Sequence, residues 1–218
     1  MKIECRANTA IEQFLTTTVA AGCGRENLAG DASTRRYERL TNPDNGATWV
    51  LMIAPPKARK DIDAFAAVAR YLRSSALSAP AIIASDPDNG LLLLEDFGDN
   101  SFTTLLHAEP TKEHALYGAA TDLLVHLHAG PPPENVPNYL VNDMARKSEI
   151  VFEWYIAQIS GQEKQSLTQK FRHEITRLLH PIMVAAPTLA LRDYHSDNLM
   201  WLPARNGIRR VGLLDFQD

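Results

Sequence analysis

LRDYHSDNLMW (191–201) sets an arginine, two aspartates, a histidine and an asparagine into one short run with apolar residues on both sides. A second acidic stretch, GLLDFQD (212–218), follows it. Between them, Pro203 to Gly207 are turn formers, so Leu199 to Leu202 and Val211 to Leu214 read as the two strands of a hairpin. Pairing those strands brings Asn198 and Asp215 side by side. Two oxygen-bearing side chains at one end of a short hairpin suit a hard cation of the Mg²⁺ type. Asp193, upstream in the loop, is then placed to orient or deprotonate an attacking hydroxyl. Phosphoryl transfer needs this division of labour: a cation for the developing charge and one carboxylate for the nucleophile.

The rest of the chain bounds the reading. Its 218 residues, 45% hydrophobic and 22% charged, suffice for one large domain or two small lobes. A formal charge of −4 and a pI near 6.0 leave nucleic-acid binding without an electrostatic footprint. Cys5 and Cys23 are too few for a disulfide framework and lack metal-ligand spacing, so they read as free thiols. The N-terminus, MKIECRANTAIEQFL, carries Glu4 and Glu12 and has no apolar core of a signal peptide. Apolar runs are strand-length, far below the roughly 20 residues of a membrane span. A cytoplasmic, membrane-free protein is expected.

Along the chain, residues 10–22 read as a helix ending at Gly22. Tyr37–Leu40 and Thr48–Ile53 read as a hairpin around the turn residues Asn42 to Gly46. Asp61–Ser74 carries Ile62, Phe65, Ala66, Ala69 and Leu72 at helical spacing, and residues 81–85 and 91–95 are short strands around DPDNG. After Gly98 the period becomes helical: 101–107, 112–129, 142–159 and 163–180, with GPPPENVP as a breaker. Short β segments are expected at 189–191, 199–202 and 211–214. The architecture is α+β: a β-rich lobe over residues 1–97 with a hinge at its end, then a helical lobe over 98–218.

D-x-x-x-x-N followed by D-F is the arrangement of the catalytic and metal loops of the protein-kinase-like fold. The chain resembles the aminoglycoside phosphotransferase and choline kinase superfamily, whose pattern is H-G-D-x-H-x-x-N and then I-D-[FW]-x-D. RDYHSDN supplies Asp193, His195 and Asn198, LLDFQD supplies Asp215 and Asp218, and Leu191 stands where the family has its first histidine. GDASTRRYERL (30–40), LMIAPP (51–56), GLLLLEDFGD (90–99) and the pair Trp154–Tyr155 resemble bacterial anomeric kinases of N-acetylmuramate and N-acetylglucosamine in cell-wall recycling. The resemblance implies a two-lobed ATP- and Mg²⁺-dependent kinase acting on a small molecule. Asp193 would be catalytic, and Asn198 and Asp215 would hold the metal. GDASTRRY becomes the phosphate loop, with Ser33, Thr34 and one of Arg35 and Arg36 on the nucleotide. Glu95 to Phe97 becomes the linker whose backbone meets adenine.

The usual strand lysine, due near Met52 to Ala54, is absent, and an arginine of the phosphate loop is the replacement the sequence offers. Asp61 and Asp63 are the carboxylates available on the following helix. Adjacent residues of a strand face opposite ways, so only one of Arg35 and Arg36 can face the nucleotide. His195 reads as a structural loop histidine or as a substrate contact. Core packing accounts for Phe152 and one of its aromatic neighbours, with a sugar stacking on Trp154 as the sharper alternative. EDFGD precedes the catalytic loop and so is not a metal motif. An aminoglycoside or an amino alcohol is the rival acceptor. The family pattern continues past its metal loop with further helices. The second reading is therefore a truncated nucleotide-binding fragment that does not turn over and needs a missing segment or partner chain.

Overall fold

The computed structural model describes residues 2–28, 35–55, 59–134, 136–156, 161–184 and 186–216, with residues 2–7, 61, 162 and 184 described by their backbone alone. The chain forms two compact units, residues 1–133 with 190–218, and residues 134–189.

The first unit opens on helix α1 (Lys2–Thr16), which begins earlier than its apolar period predicts and stops earlier too. Thr16, Thr17 and Thr18 end it. Their hydroxyls turn back onto the carbonyls of Gln13, Phe14 and Leu15 at 2.8, 2.8 and 2.9 Å, the local competition by which threonine undermines a helix. Strand β1 (Gly24–Leu28) follows and pairs with β2 (Arg36–Thr41), which pairs with β3 (Thr48–Ile53). The β2–β3 turn is built as expected: Asn42 Oδ1 accepts from the Asp44 and Asn45 amides, and Gly46 takes φ +69°. Helix α2 (Arg59–Ser74) then crosses to β4 (Ile82–Asp86) and β5 (Leu91–Glu95). All five strands are antiparallel, in the order β1-β2-β3-β5-β4.

Both faces of this sheet are covered. Leu51, Leu91 and Leu93 pack with Ile11, Phe14 and Leu15 of α1 and with Leu40 of β2. Met52, Leu92 and Leu94, of opposite parity in the same strands, are also buried. The α2 stripe Ile62, Phe65, Ala69 and Leu72 is buried as its period predicts. At about 1.5–3 kcal/mol for each large apolar side chain buried, this core is the main stabilising contribution. Gly90 (φ +72°) lets β5 start against the end of β3: a Cβ there would lie 2.9 Å from the Ala54 carbonyl oxygen.

Helices α3 (Phe102–Ala108) and α4 (Glu113–Ala129) complete the unit, α3 being capped by Ser101, whose Oγ accepts from the Thr104 amide at 3.0 Å. The second unit holds α5 (Val141–Lys147), α6 (Ile150–Trp154) and α7 (Gly161–Leu179). The single helix expected over 142–159 is thus broken. Ser148 bonds back to the Ala145 carbonyl at 2.7 Å and separates α5 from α6. Phe152 meets Phe171 edge-on at 5.3 Å. Residues 189–191 form no strand, although Leu189 and Leu191 are buried. The chain returns to the first unit with β6 (Leu199–Trp201) and β7 (Val211–Leu213). Among the described residues no helix is long and apolar enough to cross a membrane.

Candidate active site

The hairpin read from the sequence is present. Leu199 pairs with Leu213, Met200 with Gly212 and Trp201 with Val211. The Leu214 amide extends the ladder by donating to the Asn198 carbonyl at 2.9 Å, so Asn198 and Asp215 leave the hairpin at the same end. Phe216 is 2% exposed and stacks on Phe65 of α2 at 5.0 Å. With that ring anchored in the core, Asp215 takes a left-handed backbone (φ +44°), and its carboxylate is 40% exposed. A non-glycine residue held in that region is strained, and such strain gathers at functional sites.

The loop before β6 is held from several sides. Arg192 is also left-handed (φ +60°). Tyr194 reaches into α4 and donates its hydroxyl to the Ala120 carbonyl at 2.8 Å, and burial pushes its ionisation well above the usual range. Thr103 of α3 donates to Ser196 at 2.8 Å. Asn198 Nδ2 donates to the Asp193 carbonyl at 3.1 Å and meets His195 Nε2 at 3.2 Å. The Asp197 amide donates to His195 Nδ1 at 3.4 Å, and Asp197 Oδ2 lies at the same distance from that nitrogen. The amide nitrogen of Asn198 is therefore the end engaged with the protein, and its oxygen is the end left for a cation. His195 braces Asn198, and the Asp193 side chain stays exposed.

The two arginines of the phosphate segment separate, Arg36 opening β2 and Arg35 lying just before it. Arg36, 64% exposed, pairs with Glu38 at 3.3 Å. Glu38 is buried and also receives Arg25 at 2.8 Å. Arg35 is only 12% exposed, and its Nη1 lies 4.0 Å from Asp215 Oδ1. Tyr37 shares this corner: burial pushes its hydroxyl ionisation up, Arg35 opposes the rise and Asp215 adds to it. Met52, paired with Tyr37, is fully buried, so the strand position due for a lysine belongs to the core. Asp63 is exposed and faces Arg59 at 3.8 Å. Gly30, Ser33, Thr34 and Asp218 lie outside the described residues.

The linker after β5 is strongly tied. Arg39 grips Asp96 with Nε at 2.7 Å and Nη2 at 3.2 Å, and reaches Asp99 at 2.8 Å. Burial alone would raise the Asp96 ionisation. Hydrogen bonds from Arg39, the Gly98 amide and Thr48 override it and leave the carboxylate below its ordinary range. The Glu95 carboxylate accepts from the Ala81 amide at 3.1 Å and from Arg205, with Arg73 at 3.5 Å. Its side chain is thus committed to the protein, and the Phe97 ring lies against Gly212 and Arg205. Trp154 belongs to the other compact unit and is 76% exposed, as is Tyr155 at 88%. Phe152 alone of that group fills a core, against the expectation that a second aromatic would join it.

Among the described residues no group of three or more His, Cys, Asp or Glu could hold a metal. A magnesium site needs no such cage, because Mg²⁺ keeps waters and uses one or two protein oxygens plus substrate phosphates. The Asp215 carboxylate and the Asn198 amide oxygen fit that donor set. Sequence reasoning had no means of finding Tyr194, Thr103 or Arg205, since each acts across a long sequence separation on a residue it touches.

Residues 25–218 match the model of the phosphotransferase enzyme family. The chain is 34% identical along its full length to an N-acetylmuramate/N-acetylglucosamine kinase of Caulobacter vibrioides, of which it covers 69%. A kinase of the same name from Pseudomonas aeruginosa is 32% identical over 87% of the chain, which spans 54% of that relative. The ternary complex of streptomycin, ATP and APH(2")-IIa superposes on 96% of this chain and 70% of its own, with a TM-score of 0.62 and 14% identity. At that identity the likeness establishes the fold alone, a mixed α+β arrangement of the protein-kinase type.

Proposed function

The chain belongs to the phosphotransferase enzyme family, and from that premise we propose that it transfers the γ-phosphate of ATP to a hydroxyl of a small amino sugar such as N-acetylmuramate or N-acetylglucosamine. The observation that carries the reading is the open end of the β6–β7 hairpin. There Asn198 and Asp215 emerge together, Arg35 approaches Asp215, and Asn198 holds the backbone of Asp193. The amino-sugar acceptor rests on the names of the two kinases and on the segments at 30–40, 51–56 and 90–99.

In this reading residues 1–97 form the nucleotide lobe and 98–218 the catalytic lobe. The Asp193 carboxylate orients the acceptor hydroxyl and takes its proton as the oxygen bonds to the γ-phosphorus, whose bond to the β–γ bridging oxygen breaks and releases ADP. Asn198 and Asp215 would hold Mg²⁺, which when bound neutralises charge on the transferring phosphoryl group. Arg35 supplies the cation that a strand lysine gives elsewhere, reaching both the phosphates and Asp215. Ser33 and Thr34 contribute hydroxyls and amides to the phosphate loop, and the backbone of Glu95 to Phe97 meets adenine. His195 acts through Asn198. ATP supply places the reaction in the cytoplasm.

The test is ADP release by the purified chain with Mg·ATP and a panel of N-acetylmuramate, N-acetylglucosamine, an aminoglycoside and choline. The reading expects release with the N-acetylated sugars and its loss in Asp193→Asn. Release with the aminoglycoside or choline alone would reassign the acceptor. No release with any member, despite nucleotide binding, would favour the non-catalytic fragment.

A further inference from the structure

The β6–β7 hairpin is fastened at both ends, and the fastening at its turn lies far from the chemistry. Arg205 sits in that turn, with Leu202 donating to the Arg210 carbonyl at 2.7 Å and Arg210 Nε donating to the Arg205 carbonyl at 3.1 Å. Its guanidinium pairs with Glu95, the last residue of β5, and lies 5.0 Å from the centre of the Phe97 ring. Arg205 is 22% exposed and Glu95 30%, so solvent screens the pair only in part. The Phe97 ring in turn lies on Gly212 of β7, where a Cβ would fall 2.8 Å from Cδ2 and 2.9 Å from Cε2. Gly212 is thus required for space, so that a linker residue can lie flat on the metal hairpin.

The remaining ties run the same way. Ser78, just before β4, donates its hydroxyl to the Arg209 carbonyl at 2.7 Å and accepts the Leu213 amide at 2.8 Å. Asn100, just after the linker, accepts the Trp201 amide at 2.8 Å. Three-residue strands span roughly 10 Å at about 3.3 Å per residue. One rigid ladder of that length therefore joins the contact at Glu95 and Phe97 to the oxygens of Asn198 and Asp215.

We infer that Arg205, through Glu95 and Phe97, is a positioning residue that fixes the spacing between the adenine linker and the metal-binding end of the hairpin. The inference rests on the phosphotransferase reading. A nucleotide seated on the linker presents its phosphates to Asn198 and Asp215 only if that spacing holds, and a misplacement of about 1 Å can cost on the order of a hundredfold. Arg205 touches neither the phosphates nor the acceptor in this account; its effect reaches them through the ladder. The sequence separation of 110 residues between Arg205 and Glu95 is closed by one charge-assisted contact.

The experiment titrates a fluorescent ADP analogue and, separately, adenosine into the 218-residue chain, each with and without Mg²⁺. The wild type is expected to bind the diphosphate more tightly with Mg²⁺. In Arg205→Ala that enhancement falls by about fivefold or more, the lower end of typical coupling between sites, while adenosine binding changes less than twofold. Arg205→Lys keeps the charge on Glu95 but loses the flat face on Phe97 and recovers part of the enhancement. It also decides the matter if Arg205→Ala does not fold. Folded variants with an undiminished Mg²⁺ enhancement, or with adenosine and diphosphate binding weakened alike, overturn the positioning role. A wild-type chain that binds no nucleotide, or binds it without regard to Mg²⁺, overturns the phosphotransferase reading and this inference with it.

Discussion

Replacing Asp96 by alanine tests how the linker is held. The Asp96 side chain is 4% exposed and accepts both Nε and Nη2 of Arg39, the Gly98 amide at 2.8 Å and a Thr48 hydroxyl. Removing the carboxylate leaves the Arg39 guanidinium, 18% exposed, with Asp99, itself 81% exposed, as its carboxylate among the described residues. Breaking a buried pair from one side costs about 3–5 kcal/mol, and the surviving Asp99 contact sets the expectation at the lower end, about 3 kcal/mol. For a chain of this size each kcal/mol moves the melting midpoint by about 2–4 °C, so a drop of about 6–12 °C is expected. Urea unfolding of wild type, Asp96→Ala, Arg39→Ala and the double variant measures the coupling directly, expected at about 2 kcal/mol. The carboxylate ionises below its ordinary 3.8 in the folded chain. Its stabilisation is therefore full above the unfolded value and is lost as pH falls through the lower, folded one. Asp96→Asn should remove that acid-side loss while leaving the neutral-pH slope unchanged. A destabilisation under 1 kcal/mol with no coupling to Arg39 would refute the buried pair.

Two further outcomes follow from the same geometry. Arg35→Ala should weaken nucleotide binding about tenfold or more by calorimetry, whereas Arg36→Ala, exposed and directed at Glu38, should change it less than twofold; equal effects would undo the assignment of roles. Phe216→Ala should cost about 3–5 kcal/mol in chemical unfolding, because the ring is buried against Phe65. It should also reduce Mg²⁺-dependent nucleotide binding by freeing Asp215 from its left-handed conformation.

The hairpin was legible because its information is local: Pro203 to Gly207 make the turn, and Asn198 and Asp215 flank strands of matched length. The same holds for the β2–β3 turn, where Asn42 and Gly46 do what their chemistry dictates. Strand β1 was not legible. GRENL has a single apolar residue, since it is an edge strand whose side chains engage Glu12 and Glu38 through Arg25 and carry no buried stripe. The early end of α1 lay in three threonines whose hydroxyls outcompete the helix, and the break at Ser148 has the same origin. In the site, the adjacency of Arg35 and Arg36 in an expected β segment indicated that they part, but only the fold shows that Arg35 is the one beside Asp215. Arg205 and Tyr194 left no trace in the sequence, because each meets its partner, Glu95 or Ala120, across a separation no local pattern reports.

The central claim is that Asn198 and Asp215 form a magnesium-dependent nucleotide site at the end of one hairpin. Thermal unfolding of the 218-residue chain with ATP, with and without Mg²⁺, beside Asp215→Asn, tests it most directly. At a hundredfold excess over Kd a ligand of the folded state adds about 2.7 kcal/mol, a rise of about 5–11 °C at this chain length. The account expects that rise only with Mg²⁺ and only in the wild type. An equal rise in Asp215→Asn, or none in either protein, would contradict it.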